Sequence, residues 1–419
     1  MSTRFDAVVV GAGPAGASTA ILLARAGWSV ALVERQRFPR RKVCGECIAA
    51  SNLPLLDALG IGEAFSRLAG AELRRVALMR GRETIVASLP PAEAPAHRYG
   101  RALGREHLDA LLAAQAEAAG ATLFQPWALQ AIEGSAGRFR LRLRTAGAPG
   151  DACELEAGLI VAAHGSWEPL SSQRAVLRRA RRSSDLFAFK ANFRSTSIPQ
   201  DLLPVLSFRG GYGGMVVADE GLATLACCIR EDRLKHDREA RPGERAGAVV
   251  EAILRGECSG VDAALGGAVR EAPWLASGPI RPGIRLGAGD GVFRVGNAAG
   301  EAHPIVGEGI SMALQSAFVL ASLLGTRRAA LVEARGAGEA QQRVLAAYEA
   351  LWRVRFAARL RIAAAFAHVA MRPRAAQALW PIVHRWPGVL TLGARWSGKT
   401  RCAPEAARLA AARAASVTA

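Results

Sequence analysis

The sequence predicts an α/β chain: a parallel sheet wrapped by helices, a small antiparallel layer, a second antiparallel sheet and a helical C-terminal region. Three observations predict it. Asp6–Val10 is a strand, apolar without a break from Ala7 on, that passes through a glycine-punctuated turn into a helix and on to a second apolar strand, Ser29–Val33. That is a complete strand–helix–strand unit in about thirty residues, and continuous apolar strands are those covered on both faces. Between residues 180 and 280 the apolar positions alternate, the mark of a half-covered antiparallel sheet, and beyond 340 they take a helical period.

The elements follow in order. Ala17–Ala26 has the apolar spacing of a helix, and the strand after it ends at Glu34. Arg37–Ile48 is a loop carrying Pro and Arg, and Ala50–Leu68 reads as a helix broken near Gly60. Residues 72–98 suggest short strands, and Gly104–Ala119 a helix stopped by Gly120. Thr122–Phe124, Ala128–Glu133 and Arg138–Thr145 suggest the antiparallel layer, and Leu159–Ala163 returns to a buried strand. Leu186–Phe193, Val205–Phe208, Gly214–Ala218 and Ala223–Ile229 carry the second sheet. Gly291–Val295 is a further buried strand, leading through a glycine turn into a helix over Gly309–Leu324. The Ala- and Arg-rich stretch after Pro404 reads as a frayed tail.

Composition narrows the class. A chain of 419 residues with 51% hydrophobic and 21% charged residues buries a large core and is not disordered. The net charge of +18 comes almost wholly from Arg spread along an Ala- and Gly-rich chain, as GC-rich coding produces. Nucleic acid is therefore not an expected partner, although the charge bears on acidic ligands and anionic membrane surfaces. The first residues run straight into the strand pattern, with no leader-like n-region and h-region, so a cytoplasmic location is expected. The apolar run Ile362–Ala370 is too short to span a membrane and carries His368. Cysteines 44, 47, 153, 227, 228, 258 and 402 form no disulfide framework in a chain of this size. No metal site is expected, because no second pair complements Cys44 and Cys47. Nothing in the sequence sets the oligomeric state.

Two motifs carry chemistry. Gly11-Ala-Gly13-Pro14-Ala15-Gly16 stands directly after a buried strand and before a helix, and Glu34 follows eighteen residues after Gly16. Gly11 makes the tight turn, Gly13 lets backbone approach a pyrophosphate, and Gly16 lets helix and strand pack. The helix N-terminus offers unpaired N–H groups and a positive dipole end to phosphates. Glu34, followed by Arg35, is placed to accept from a ribose hydroxyl. The second motif, Gly289-Asp290 through Gly296-Asn297 to His303-Pro304 and Gly307-Glu308-Gly309-Ile310, is a strand, a glycine turn and a helix start. Bare N–H groups there stabilise negative charge.

Together these motifs resemble the large FAD superfamily containing group A aromatic hydroxylases, flavin-dependent halogenases and geranylgeranyl reductases. The resemblance implies a Rossmann-like, glutathione-reductase-type FAD-binding domain over residues 1–70, 99–178 and 280–330. It implies a β-sheet substrate domain over 71–98 and 179–279, with residues 331–419 as a C-terminal helical region. Residues Gly296, Asn297, Pro304, Gly307, Glu308, Gly309 and Ile310 would hold the ribityl chain and ring of FAD; Asn297 stands where the family usually has Asp. Arg105, in Tyr99-Gly-Arg101-Ala-Leu-Gly-Arg105, matches an Arg that contacts FAD phosphate or ribose. His164 replaces the Asp of an Asp-Gly motif that hydroxylases use to link FAD and nicotinamide binding, and no second glycine fingerprint follows. NADH or NADPH would therefore visit transiently, unless another protein supplies the electrons.

The loop Arg40-Arg41-Lys42-Val43-Cys44-Gly45-Glu46-Cys47 looks like that of geranylgeranyl reductases and several secondary-metabolite flavoenzymes. The likeness places Arg41, Lys42, Val43 and Cys44 near the flavin, with nearby positive charge favouring a reactive Cys44. Cys44 and Cys47 read either as structural, substrate-shaping thiols or as a redox pair. His303, in the flavin turn, is a candidate acid/base. Phe187, Phe189 and Lys190 are expected to line the substrate chamber, although plain sheet core reads equally well. Among the family's reactions, oxygen-dependent hydroxylation or oxidation of a hydrophobic aromatic or polyketide-type small molecule fits best. Reduction of a lipid-like C=C bond comes next, supported by the Cys44 loop and by basic, Trp-bearing C-terminal helices that could touch a membrane. Halogenation would need a fuller motif than the fragment Trp167-Glu-Pro169 and a catalytic Lys. An FAD protein without turnover is the remaining alternative.

Overall fold

The computed structural model describes residues 3–146, 151–166 and 181–396. Its first sheet has strand order 122–124, 30–33, 3–10, 152–162, 138–145, 127–135, with 293–294 also pairing against 152–162. Strand Thr3–Val10 is parallel to both neighbours, and Val10 is in register with Val33 on one side and Ala162 on the other. The C-terminal ends of these strands therefore stop level, at Gly11, Glu34 and Ala163. In such a sheet that edge is where a ligand crevice opens. Helix Pro14–Arg25 packs against Gly309–Leu324 and Arg105–Ala118 on one face, around a core that includes Ile21, Leu112, Phe318 and Trp352. By length and composition, Gly309–Arg327 could cross a membrane, but 67% of it is buried inside the fold. It is a core helix.

The second sheet runs 269–270, 186–194, 223–230, 211–217, 202–208, 75–80, 83–88, with 275–280 also on strand 186–194. Its pairs are antiparallel except for 202–208 with 75–80. One face carries Phe189, Ala191 and Phe193 against helices Ala246–Glu257 and Ser259–Leu265. These helices, and Glu231–Glu239, stand where the sequence reading expected only strands. Val249, Val250, Ile253 and Leu254 are buried at helical spacing, a signal hidden by the alternation around it. Gly60, at φ 86°, separates helices Leu53–Leu59 and Gly62–Leu68 at the expected break.

Helix Ala337–Met371 crosses both layers, and its Tyr348 hydroxyl donates to the Arg294 carbonyl at 2.7 Å. Helices Pro373–Arg385 and Gly388–Trp396 then cover the far strands of the second sheet. There Trp380 Nε1 donates to Glu83 at 2.6 Å and the Thr391 hydroxyl to the Ser88 carbonyl at 2.8 Å. The fragment Trp167-Glu-Pro169, Cys402 and the tail after Pro404 lie outside the described residues.

Candidate active site

The glycine turn has the geometry its spacing requires. Gly11 has φ +105°, and a Cβ there would lie 2.6 Å from the Ala163 carbonyl oxygen. At Gly16 it would lie 1.8 Å from the Gly11 oxygen. Helix Pro14–Arg25 starts with no side-chain cap and no acid in its first turn, leaving its N–H groups available to an anion. Glu34 sets the turn: its Oε2 accepts from Ala12 N at 3.0 Å and its Oε1 from Gln36 N at 2.9 Å. Arg105 lies over the turn, 3.5 Å from where a Gly13 Cβ would be. Burial works against its charge, but Asp109, bound at 2.8 and 2.7 Å, keeps the guanidinium above its ordinary pKa. These residues fit a dinucleotide diphosphate.

From this turn a cavity of about 290 Å³ runs beneath the second sheet. Gly13, Pro14, Ala15, Lys42, Val43, Cys44, Arg105, Gly296, Asn297, Pro304, Gly307, Gly309 and Ile310 all line it, so both motifs and the Cys44 loop converge. Lys42 is pushed down to about 8, by burial first and then by Arg105 and Arg40. Gly296 and Gly307 both take positive φ, 58° and 63°. Asn297 donates to Ser166 Oγ at 2.9 Å and to Glu301 Oε1 at 3.3 Å. Glu301, buried and paired with Arg285 at 2.7 Å, thus puts a carboxylate on the cavity wall four residues after the position that lacks one.

Several expected residues stand elsewhere. Phe189 faces the helix-covered core, Phe187 packs beside it under Arg181, and Ala188 between them reaches the cavity. Lys190 is on the cavity side of its strand but is closed off by an ion pair with Glu46, both side chains essentially fully buried. Arg41 turns outward to Glu106 at 3.2 Å, Arg35 is exposed, and buried Glu308 faces Arg359 at 3.7 Å. His303 is also absent from the cavity wall. It lies behind Tyr212, with Nδ1 3.4 Å from the Tyr212 hydroxyl, and its other neighbour is His368, ring to ring 6.1 Å. Burial, then His368, lowers His303 to about 4, so the ring is neutral. His164, with no hydrogen-bond partner for either ring nitrogen among the described residues, is lowered to about 4 by burial and by Arg294 and Arg285.

Tyr212 lines the cavity, and burial and then Cys228 raise its pKa well above the ordinary value. Sequence reasoning missed it, although the run Gly210-Gly-Tyr-Gly-Gly214 is a poor strand unless backbone must come close. At Gly213 a Cβ would meet the Ala226 oxygen at 2.7 Å. Glu46 was also missed. At φ 58° it accepts from Lys190, from Arg105 N at 2.9 Å and from the Thr224 hydroxyl at 2.5 Å, tying the loop to the second sheet and to the start of helix Arg105–Ala118. Cys44 and Cys47 line the cavity as thiols without a disulfide.

A second cavity, about 410 Å³ and almost wholly apolar, lies between the second sheet and the C-terminal helices. It shares Cys47, Leu203, Val205 and Ile305 with the first.

A parallel sheet ending in a glycine turn, and a second glycine turn brought to the same crevice, define a flavin-nucleotide oxidoreductase. The chain belongs to the FAD binding domain family, which matches residues 4–361, and it is an FAD-dependent enzyme. It is 27% identical to a menaquinone reductase of Mycobacterium tuberculosis over 77% of each chain. It is 24% identical to a tryptophan 2-halogenase of Chondromyces crocatus over 82% of this chain, and spans 66% of that protein's length. It is 30% identical to a kynurenine 3-monooxygenase of Stenotrophomonas maltophilia over 46% of this chain and 42% of the other. The solved flavin-dependent brominase Bmp2 superposes with TM-score 0.75 over 99% of this chain and all of its own, at 15% identity, which shows the fold.

Proposed function

We propose that the protein is a monooxygenase that hydroxylates a hydrophobic aromatic or polyketide-type ring, with the ring in the first cavity and an apolar extension in the second. The observation that carries this reading is the shared wall of Cys47, Leu203, Val205 and Ile305 between a mixed chamber and an apolar annex. When bound and reduced, FAD supplies the electrons that activate oxygen. The chain's own part is to exclude water, orient the ring and govern one proton. Tyr212 is the hydroxyl on the chamber wall that can hydrogen-bond a substrate oxygen, and neutral His303 behind it fixes the direction of that hydroxyl. The likeness to a kynurenine 3-monooxygenase supports the reaction type. Halogenation is less well supported: of the described lysines, Lys190 is locked to Glu46, Lys235 is on an outer helix, and Lys42, although on the cavity wall, stands at its diphosphate end beside Arg105 and Gly165.

The test is oxygen uptake with NADH or NADPH and chain-bearing phenols, followed by mass analysis under labelled oxygen. Substrate-stimulated uptake with label in the product is expected. A second reading, reduction of a C=C bond in a lipid-like molecule, is favoured by the apolar annex and the menaquinone reductase likeness. Anaerobic turnover that adds hydrogen without oxygen would replace the first reading by this one.

A further inference from the structure

We infer that the two last described helices, with the end of the long helix before them, form a docking face for an anionic lipid bilayer, and that the second cavity opens on it. Seven of the twelve exposed large apolar side chains among the described residues fall between Ile362 and Leu392. Phe366, Leu379, Ile382 and Val389 are each at least 40% exposed and also line the second cavity, so its mouth is on this face. Trp386, 60% exposed, has the amphipathic ring that favours the headgroup layer. Residues 350–396 contain eight Arg and no Asp or Glu. Arg353 and Arg359 face Glu349 and Glu308, whereas Arg372, which caps helix Pro373–Arg385, and Arg374 and Arg385 on that helix are exposed. Apolar side chains interleaved with cations, with no acid within residues 350–396 themselves, match a surface of anionic headgroups over hydrocarbon. A second copy of this chain would bring the same uncompensated charge against itself. The substrate then reaches the flavin from the membrane, its chain drawn through the annex. That last step rests on the two-cavity reading above.

The experiment is sedimentation of the full-length, FAD-loaded protein with phosphatidylcholine vesicles, with and without a minority of phosphatidylglycerol. Binding to the anionic vesicles that weakens with salt is expected. Replacing Arg372, Arg374 and Arg385 together by Gln should lower partitioning on the order of 100-fold, at roughly fivefold per cation. Trp386→Ser with Leu392→Ser should weaken binding to the same vesicles while leaving flavin content and spectrum unchanged. Equal binding to both vesicle types, no binding to either, or a stable dimer that buries Trp386 overturns the inference. Vesicle binding needs no turnover, so its failure leaves the reaction reading standing, and a failed oxygen assay leaves the docking result standing.

Discussion

Replacing Glu46 by Gln tests whether one carboxylate holds the Cys44 loop between the second sheet and helix Arg105–Ala118. Its oxygens accept from Lys190, from Arg105 N and from Thr224, and Thr224 in turn accepts from Asn192 at 2.8 Å. A neutral amide cannot replace its charge: the amide oxygen can keep Lys190 and Arg105 N and the amide nitrogen can face the Thr224 oxygen, but Lys190 is left charged and buried without a counter-charge. Removing one partner of a buried pair in this way costs about 3–5 kcal/mol. The positive φ of Glu46 adds strain of about 1 kcal/mol that only these contacts sustain. Lys190→Met should cost less, because the carboxylate keeps two donors. The double variant should recover part of the loss, with a coupling of 1 kcal/mol or more, within the ~0.5–3 range for residues in one network. The assay is urea unfolding at a fixed excess of FAD, since bound ligand itself shifts stability. Additivity of the two single changes to within about 0.5 kcal/mol would refute the reasoning.

Three further outcomes follow from the site. Asn297→Asp, although it restores the residue usual in the family, should weaken FAD binding about tenfold, because it sets a second carboxylate against Glu301; adding Glu301→Gln should restore affinity in a fluorescence titration. Tyr212→Phe should lower kcat by roughly 10²-fold with FAD affinity unchanged, and His303→Gln should give a smaller loss; equal loss of flavin from Tyr212→Phe would count against a catalytic hydroxyl. His164 and His303 titrate near 4 in the fold against about 6.5 when unfolded. Between those values the unfolded chain binds protons that the fold refuses, so their contribution is complete above about 6.5 and lost as pH falls toward about 4. A melting-temperature profile should steepen in that window and flatten in His164→Gln.

What could be read from the sequence was whatever the backbone itself enforces. A turn in which a Cβ at Gly16 would lie 1.8 Å from a carbonyl admits only glycine, so its spacing announced the crevice, and the helix behind it starts without a side-chain cap. Arg105 was legible for a related reason, since it begins a helix at a fixed place in the family pattern. Side-chain direction was not legible. Phe187, Phe189 and Lys190 share one strand with Ala188, yet a period of two puts Ala188 on the cavity and the two rings on the opposite face. No composition rule says which face a flavin will occupy. Lys190 was on the correct side, but its charge was already committed to Glu46 by a contact spanning 144 residues. His303 was expected to face the flavin; it is in that turn, but one layer behind the cavity wall. In that turn, Ala302, Pro304 and Ile305 line the chamber, and the histidine touches it only through Tyr212. The annex was the least legible feature, because it is enclosed between a strand near residue 78 and a helix near residue 380. Only packing brings those walls together, and with them the apolar volume beside the first cavity.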